Sequence, residues 1–285
     1  MTDQDGWDRQ QSVDVDAGTI RYRDVGKGPV LLFVHGILVN GTLWRDVVPP
    51  LAGRFRCIVP DLPLGGHAVP MYPQADLTPS GVARIVADLM VALDLHDVTL
   101  VGNDTGGAIC QIVITEHPER IGGLVLTNCD AYHAFFPLLL RPFSWGATLF
   151  GERFTSAIGW ALRHRPAQRL LLQLVARRKM DEATLDAYFS GFTGNAGVRR
   201  DVARFLPTVS SRYTLEAAKR FPTFPHPVLI VWGTADFIFP AKLAHRLKGD
   251  FADARPEFVD RSRAFVPEDQ PEDLVRAIAR FMDGR

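Results

Sequence analysis

Apolar residues fall along this chain in two rhythms. Short continuous runs at residues 30–34, 57–60, 98–101, 123–127, 227–232 and 257–260 have the length of buried strands. Between most of them lie stretches whose apolar positions follow helical spacing. Thr78-Pro79 opens one of these, with Thr as N-cap and Pro at the first helical position. Val82, Ile85, Val86, Leu89, Met90 and Leu93 form its stripe. Residues 42–51, 108–116, 241–247 and 270–282 read as further helices, the last presenting Leu274, Ile278 and Phe281 to a sheet. Two short alternating runs, 13–16 and 19–23, predict a hairpin near the start. Residues 62–77, rich in Pro and Gly, predict a loop. Strands alternating with helices predict an α/β fold with a mostly parallel sheet covered on both faces. In such a sheet, sites gather at the carboxyl ends of the strands.

The rhythm breaks between residues 131 and 220. No strand pattern appears there, and the stretch is helical and rich in Phe, Leu and Arg. It predicts a helical lid inserted into a core made of residues 1–130 and 221–285. Phe135, Phe136, Leu138, Leu139, Leu140, Phe143, Trp145 and Phe150 give this lid a large apolar supply. That suits a small hydrophobic molecule, or packing of lid on body, or a dimer contact. Arg163, Arg165, Arg169, Arg177, Arg178 and Lys179 read as the solvated face of a lid helix.

Composition narrows the classes. The chain is 47% hydrophobic and 22% charged, with 32 basic residues balancing 32 acidic ones. That is an ordinary globular chain with no charge bias toward nucleic acid or a membrane, acting as monomer or homodimer. The polar, acidic first ten residues do not resemble a signal peptide. Cys57, Cys110 and Cys129 have no metal or disulfide spacing, so a reducing, cytoplasmic compartment is expected. No metal or organic cofactor is implied.

The chemistry centres on Val98-Thr-Leu-Val-Gly-Asn-Asp-Thr-Gly-Gly107. A buried strand turns within a few residues into a helix, with Gly102, Gly106 and Gly107 bracketing Asn103, Asp104 and Thr105. Glycines allow strand and helix to approach closely around one strained residue. The order glycine, any residue, nucleophile, any residue, glycine is that of a nucleophile elbow, here with Asp104 at the centre. His35-Gly36 follows the strand at 30–34, and Trp232-Gly-Thr-Ala-Asp236 follows a later strand. The phrase Phe265-Val-Pro-Glu-Asp-Gln-Pro-Glu272 lies just before the last helix.

With these motifs the chain resembles the α/β-hydrolases. It is most similar to the haloalkane dehalogenase and epoxide hydrolase branch, whose nucleophile is Asp. The resemblance covers about residues 15–130 and 220–283. It implies an enzyme, a hydrolase like those of this branch, with Asp104 as nucleophile and the backbone N–H groups of Ile37 and Thr105 as oxyanion donors. Asp236 is the first choice for the triad acid, and Asp130, after the sixth strand, is the second. His35, Asn103, Phe135, Phe136, Trp145, Tyr188, His133 and Phe265 are the expected substrate pocket. His67 is another loop histidine near the site entrance. Tyr188 is preferred over Tyr132 and Tyr213 as a lid tyrosine able to protonate an alkoxide.

The sequence departs from this family at its base. Ala264 stands where the family carries histidine, directly before the Phe265 phrase. Thr105 replaces the usual Trp after the nucleophile, and Ile37 replaces a halide-binding Asn. In the family mechanism the carboxylate first forms an alkyl ester, and His then activates water to hydrolyse it. Without His the ester should accumulate. The histidine is either naturally lost or was changed to trap an intermediate, and the other departures favour natural loss. Non-hydrolytic alternatives are isomerisation, elimination or cyclisation with Asp104 as general acid or base, its pKa raised by burial and neighbouring carboxylates. A catalytically silent ligand-binding protein is a further alternative.

Overall fold

The computed structural model describes residues 4–137 and 140–285, so Leu138 and Leu139 of the apolar stretch lie outside it. Its centre is an eight-stranded sheet in the order β1 (Gln11–Val15), β2 (Gly18–Val25), β4 (Arg56–Pro60), β3 (Val30–Val34), β5 (Val98–Asp104), β6 (Ile121–Cys129), β7 (Val228–Gly233), β8 (Ala254–Val259). β2 pairs antiparallel with both of its neighbours, and every pairing from β4 to β8 is parallel. The central strands β5, β6 and β7 are buried along their whole length, which is why they read as unbroken apolar runs rather than alternating ones.

Seven helices belong to this sheet: α1 (Gln4–Trp7), α2 (Val48–Ala52), α3 (Pro79–Ala92), α4 (Thr105–Glu116), and, after a helical interlude, α11 (Lys242–Asp250), α12 (Val266–Asp269) and α13 (Pro271–Asp283). The α3 N-terminus forms as its sequence dictates, the Thr78 hydroxyl accepting from Gly81 N–H at 3.1 Å. Leu274, Ile278 and Phe281 of α13 are buried.

Three boundaries differ from expectation. The helix expected over 42–51 is a 3-10 turn, Gly41–Trp44, followed by the separate α2. Pro49 and Pro50 lack N–H groups and disfavour helix before them, so they sit in the first turn of a new helix. β5 continues past residue 101 to Asp104, because Gly102 still pairs with Val34 of β3 and Asp104 with Cys129 of β6. β8 starts earlier than expected and includes Pro256, tolerated because this edge strand pairs on one side only.

Between β6 and β7 the described residues form six α-helices and no strand: α5 (Arg141–Phe150), α6 (Glu152–Ala161), α7 (Arg165–Val175), α8 (Glu182–Gly194), α9 (Ala196–Phe205) and α10 (Ser211–Ala218). α6 and α8 pack on α9, while α10 returns to α4 of the sheet. The helices therefore gather beyond the carboxyl ends of β3, β5 and β6.

Candidate active site

β5 passes into α4 with no loop between them, and Asp104 is the joint, at φ 55° and ψ −132°. A positive φ on a residue with a side chain costs on the order of 1–3 kcal/mol and persists only where the surroundings enforce it. Here close backbone approach enforces it. A Cβ on Gly102 would sit 2.7 Å from the Gly107 Cα. A Cβ on Gly106 would run into the carbonyls of Val34 and His35, and one on Gly107 into Cys129. Gly36 is under the same constraint, since a Cβ there would overlap the Asp104 carboxylate. The glycines of both motifs thus clear space around one carboxyl group.

That group is nearly out of solvent, at 4% exposure. Ile37 N–H donates to Asp104 Oδ2 at 3.3 Å, and Thr105 N–H also bonds the carboxylate. Burial pushes the Asp104 carboxyl up to about 7, the two N–H groups oppose the rise, and the charge of Asp236 adds to it. Asp236, in the turn after β7, accepts from Asn128 Nδ2 and from Ile238 N–H, both at 2.8 Å. Its carboxyl is raised by burial against these bonds. Asp130 is fully buried after β6 and accepts from Thr105 Oγ1 at 3.2 Å, with no partner on its Oδ1. Burial, then the charge of Asp104, holds it well above the ordinary carboxyl range.

Ala264 is fully buried between β8 and α12. Its carbonyl accepts from Asn103 Nδ2 at 2.7 Å, which ties this loop to the residue before Asp104. The next residue, Phe265, donates its N–H to Val175 at the end of α7 at 2.8 Å. The loop is anchored on both sides without an imidazole.

Asp104 opens into a cavity under the six-helix insertion. Ile37, Leu38, Val39 and Phe265 form its floor with Asp104, and the insertion supplies Phe136, Leu140, Phe143, Phe154, Thr155, Ile158, Leu171, Leu172, Leu174, Val175, Phe189, Phe192, Val202 and Leu206. Among the described residues, Asp104 is the one ionisable side chain on this wall, and Thr155 the one other polar side chain. The Thr155 hydroxyl is already used, donating to the Glu152 carbonyl at 3.2 Å. Space open to the centres of water-sized spheres amounts to ≈ 70 Å³, against the roughly 10–15 Å³ that one water needs.

Of the residues expected to line the pocket, Phe136 and Phe265 do and six do not. His35 is fully buried beneath the site: its Nδ1–H donates to the Gly36 carbonyl and its Nε2 accepts from Leu62 N–H, both at 2.8 Å. Burial lowers its pKa to about 4, so it stays neutral and braces the turn. Asn103 spends its amide on Thr127, Asn128 and Ala264. Phe135 is buried away from the cavity, and His133 is exposed. Trp145 is 59% exposed on the outer face of α5, because Phe143 occupies the inward position. His67 is also away from the cavity, buried against Asp201 with Nε2 and Oδ2 3.3 Å apart.

Tyr188 is buried but points elsewhere. Its hydroxyl donates to Glu268, which also takes both Arg45 guanidinium nitrogens, at 2.6 and 2.8 Å. Burial, then the Glu268 charge, raises the Tyr188 phenol well above its usual value, so it is a poor proton donor. Burial pulls the Arg45 guanidinium down, and its bond to Glu268 more than reverses this. This trio joins the 3-10 turn, α8 and α12 around the site, and sequence reasoning missed it. Its signals were Arg45 beside Trp44 and Glu268 in the Phe265 phrase, but their pairing across 223 residues leaves no local trace. Among the described residues, no group of three or more His, Cys, Asp or Glu side chains could hold a metal ion.

The elbow, the parallel sheet and the inserted helices define a class, and residues 29–271 match the α/β-hydrolase fold family. The chain belongs to that family. It is 29% identical to haloalkane dehalogenase 2 of Mycobacterium tuberculosis over 93% of this chain and 92% of the relative. Its fold superimposes on the haloalkane dehalogenase DbeA of Bradyrhizobium elkani at a TM-score of 0.82 and 19% identity, covering 97% of this chain and 98% of that one. It superimposes on the epoxide hydrolase CorEH at a TM-score of 0.81 and 18% identity, covering 97% of this chain and 99% of the other.

Proposed function

We propose that this α/β-hydrolase is an enzyme acting on a small hydrophobic molecule through the Asp104 carboxylate, with α5 to α9 as its lid. The observation that carries this reading is the single ionisable side chain on an otherwise carbon-lined cavity. In the first step an Asp104 oxygen attacks a saturated carbon of the substrate. The bond from that carbon to halogen or epoxide oxygen breaks, and the leaving group keeps its electron pair. The ester that forms leaves its carbonyl oxygen near Ile37 N–H and Thr105 N–H, the proposed oxyanion donors. Asp236 stands at the acid position with no imidazole to orient, since Ala264 cannot take a proton from water. Ester breakdown is then slow, and the alkylated protein accumulates.

Two observations favour a second reading in which Asp104 transfers a proton and forms no bond to carbon. Its carboxyl sits near 7, and no free side-chain donor faces the cavity to assist a departing halide or alkoxide. Isomerisation of a bound molecule would need only that carboxyl group, which takes a proton from one carbon and returns it to another.

Denaturing intact mass after incubation with haloalkanes and epoxides separates the readings. An adduct that Asp104→Asn lacks supports the nucleophile. An altered product without an adduct supports proton transfer. Recovery of every compound unchanged, at buffer rates, contradicts both.

A further inference from the structure

α5 and α6 form a helical hairpin through Gly151 that is apolar on two sides. The inner side is accounted for: Phe143, Phe154 and Ile158 line the cavity. The outer side carries Trp145, Leu149 and Trp160, each between 59% and 74% exposed. Soluble surfaces rarely cluster large apolar side chains in this way without a partner. On α5, Arg141, Trp145 and Leu149 are spaced four apart and share one stripe; on α6, Arg153 and Trp160 are seven apart and share another. Both stripes thus set an arginine on the same helical face as exposed tryptophan.

The charge around this face is lopsided. Residues 141–180 contain eight Lys or Arg and one acid, Glu152, in a chain whose 32 basic and 32 acidic residues balance overall. Arg165, Arg169 and Arg178 are answered by acids of neighbouring segments. Arg141, Arg153 and Arg163 have no acidic partner among the described residues.

We infer that the outer face of α5 and α6 docks on an anionic lipid bilayer. Tryptophan and leucine enter the headgroup boundary, and the arginines meet lipid phosphates. A second copy fits this face less well, because it would bring the same arginines together. The cavity wall is the reverse side of the same hairpin, so docking would set the lid against the membrane. The inference does not depend on the chemistry of Asp104.

The test floats full-length protein with vesicles of phosphatidylcholine alone, or of equal parts phosphatidylcholine and phosphatidylglycerol, at low salt. The protein is expected to rise with the anionic vesicles only. The double variant Arg141→Ala/Arg153→Ala should partition roughly 25-fold more weakly, about fivefold for each charge removed. Trp145→Ser/Trp160→Ser should also lose binding, with its melting curve unchanged. No flotation with anionic vesicles, or equal flotation of both variants, overturns the inference. A dimer that the tryptophan variant dissolves also overturns it, in favour of contact between copies.

Discussion

At the scale of single residues, the site is a carboxyl group that its surroundings keep partly protonated. Burial raises Asp104 to about 7, whereas in the unfolded chain it titrates near about 4. The folded form therefore holds a proton that the unfolded form loses between these values. This contribution to stability is intact below about pH 4 and is lost as pH rises through about 7. Asp104→Asn is expected to flatten that fall and to be more stable than the parent at pH 8, as urea denaturation across pH would read. The loop at Ala264 carries the second prediction. Ala264→His should speed breakdown of any Asp104 ester by about 100-fold or more, the range a positioned general base supplies. Single-turnover decay of the adduct checks this, and an unchanged decay rate would show that the loop cannot present a base to it.

At the scale of elements, the sequence discloses what is local and conceals what is paired across distance. The elbow is legible because its glycines, its strand and its helix lie within about twenty residues, and each glycine has a steric reason to be there. The positions of Asp236 and of the Phe265 phrase are legible as turns after strands. Which way side chains on the insertion face is not. Phe143 and Trp145 are both large and aromatic, yet one lines the cavity and the other faces out, a difference set by the packing of α5. The Arg45, Tyr188 and Glu268 trio is hidden for the same reason, since its members come from three separate elements. Glu268 is fully buried, so Glu268→Gln leaves Arg45 with only the partly exposed Asp46, 3.8 Å away, as counter-charge and should cost about 3 kcal/mol. Chemical denaturation would measure the loss. A change under ~0.5 kcal/mol would show that the pair contributes little to holding α12 against the 3-10 turn.

At the scale of the whole molecule, the sheet provides the strained turn and the insertion provides most of the apolar wall. Neither alone makes a site: the floor presents Asp104, and most of the wall comes from between β6 and β7. Filling the cavity should stop chemistry while leaving the elbow intact. Ile158→Trp, on α6, is expected to abolish adduct formation at a stability cost of about 1–3 kcal/mol. Full adduct yield in this variant would place the reaction outside the cavity.

The central claim is that Asp104 is a buried nucleophile active in its ionised form. Its most direct test is the rate of adduct formation with one reactive haloalkane, followed by intact mass from pH 4 to 9. The account predicts a rate that rises about tenfold per pH unit and levels near pH 7, where the carboxyl ionises. A rate already level at pH 5 would mean an ordinary, solvated carboxylate. A rate that falls as pH rises would make the protonated form the active one, and would contradict nucleophilic attack by Asp104.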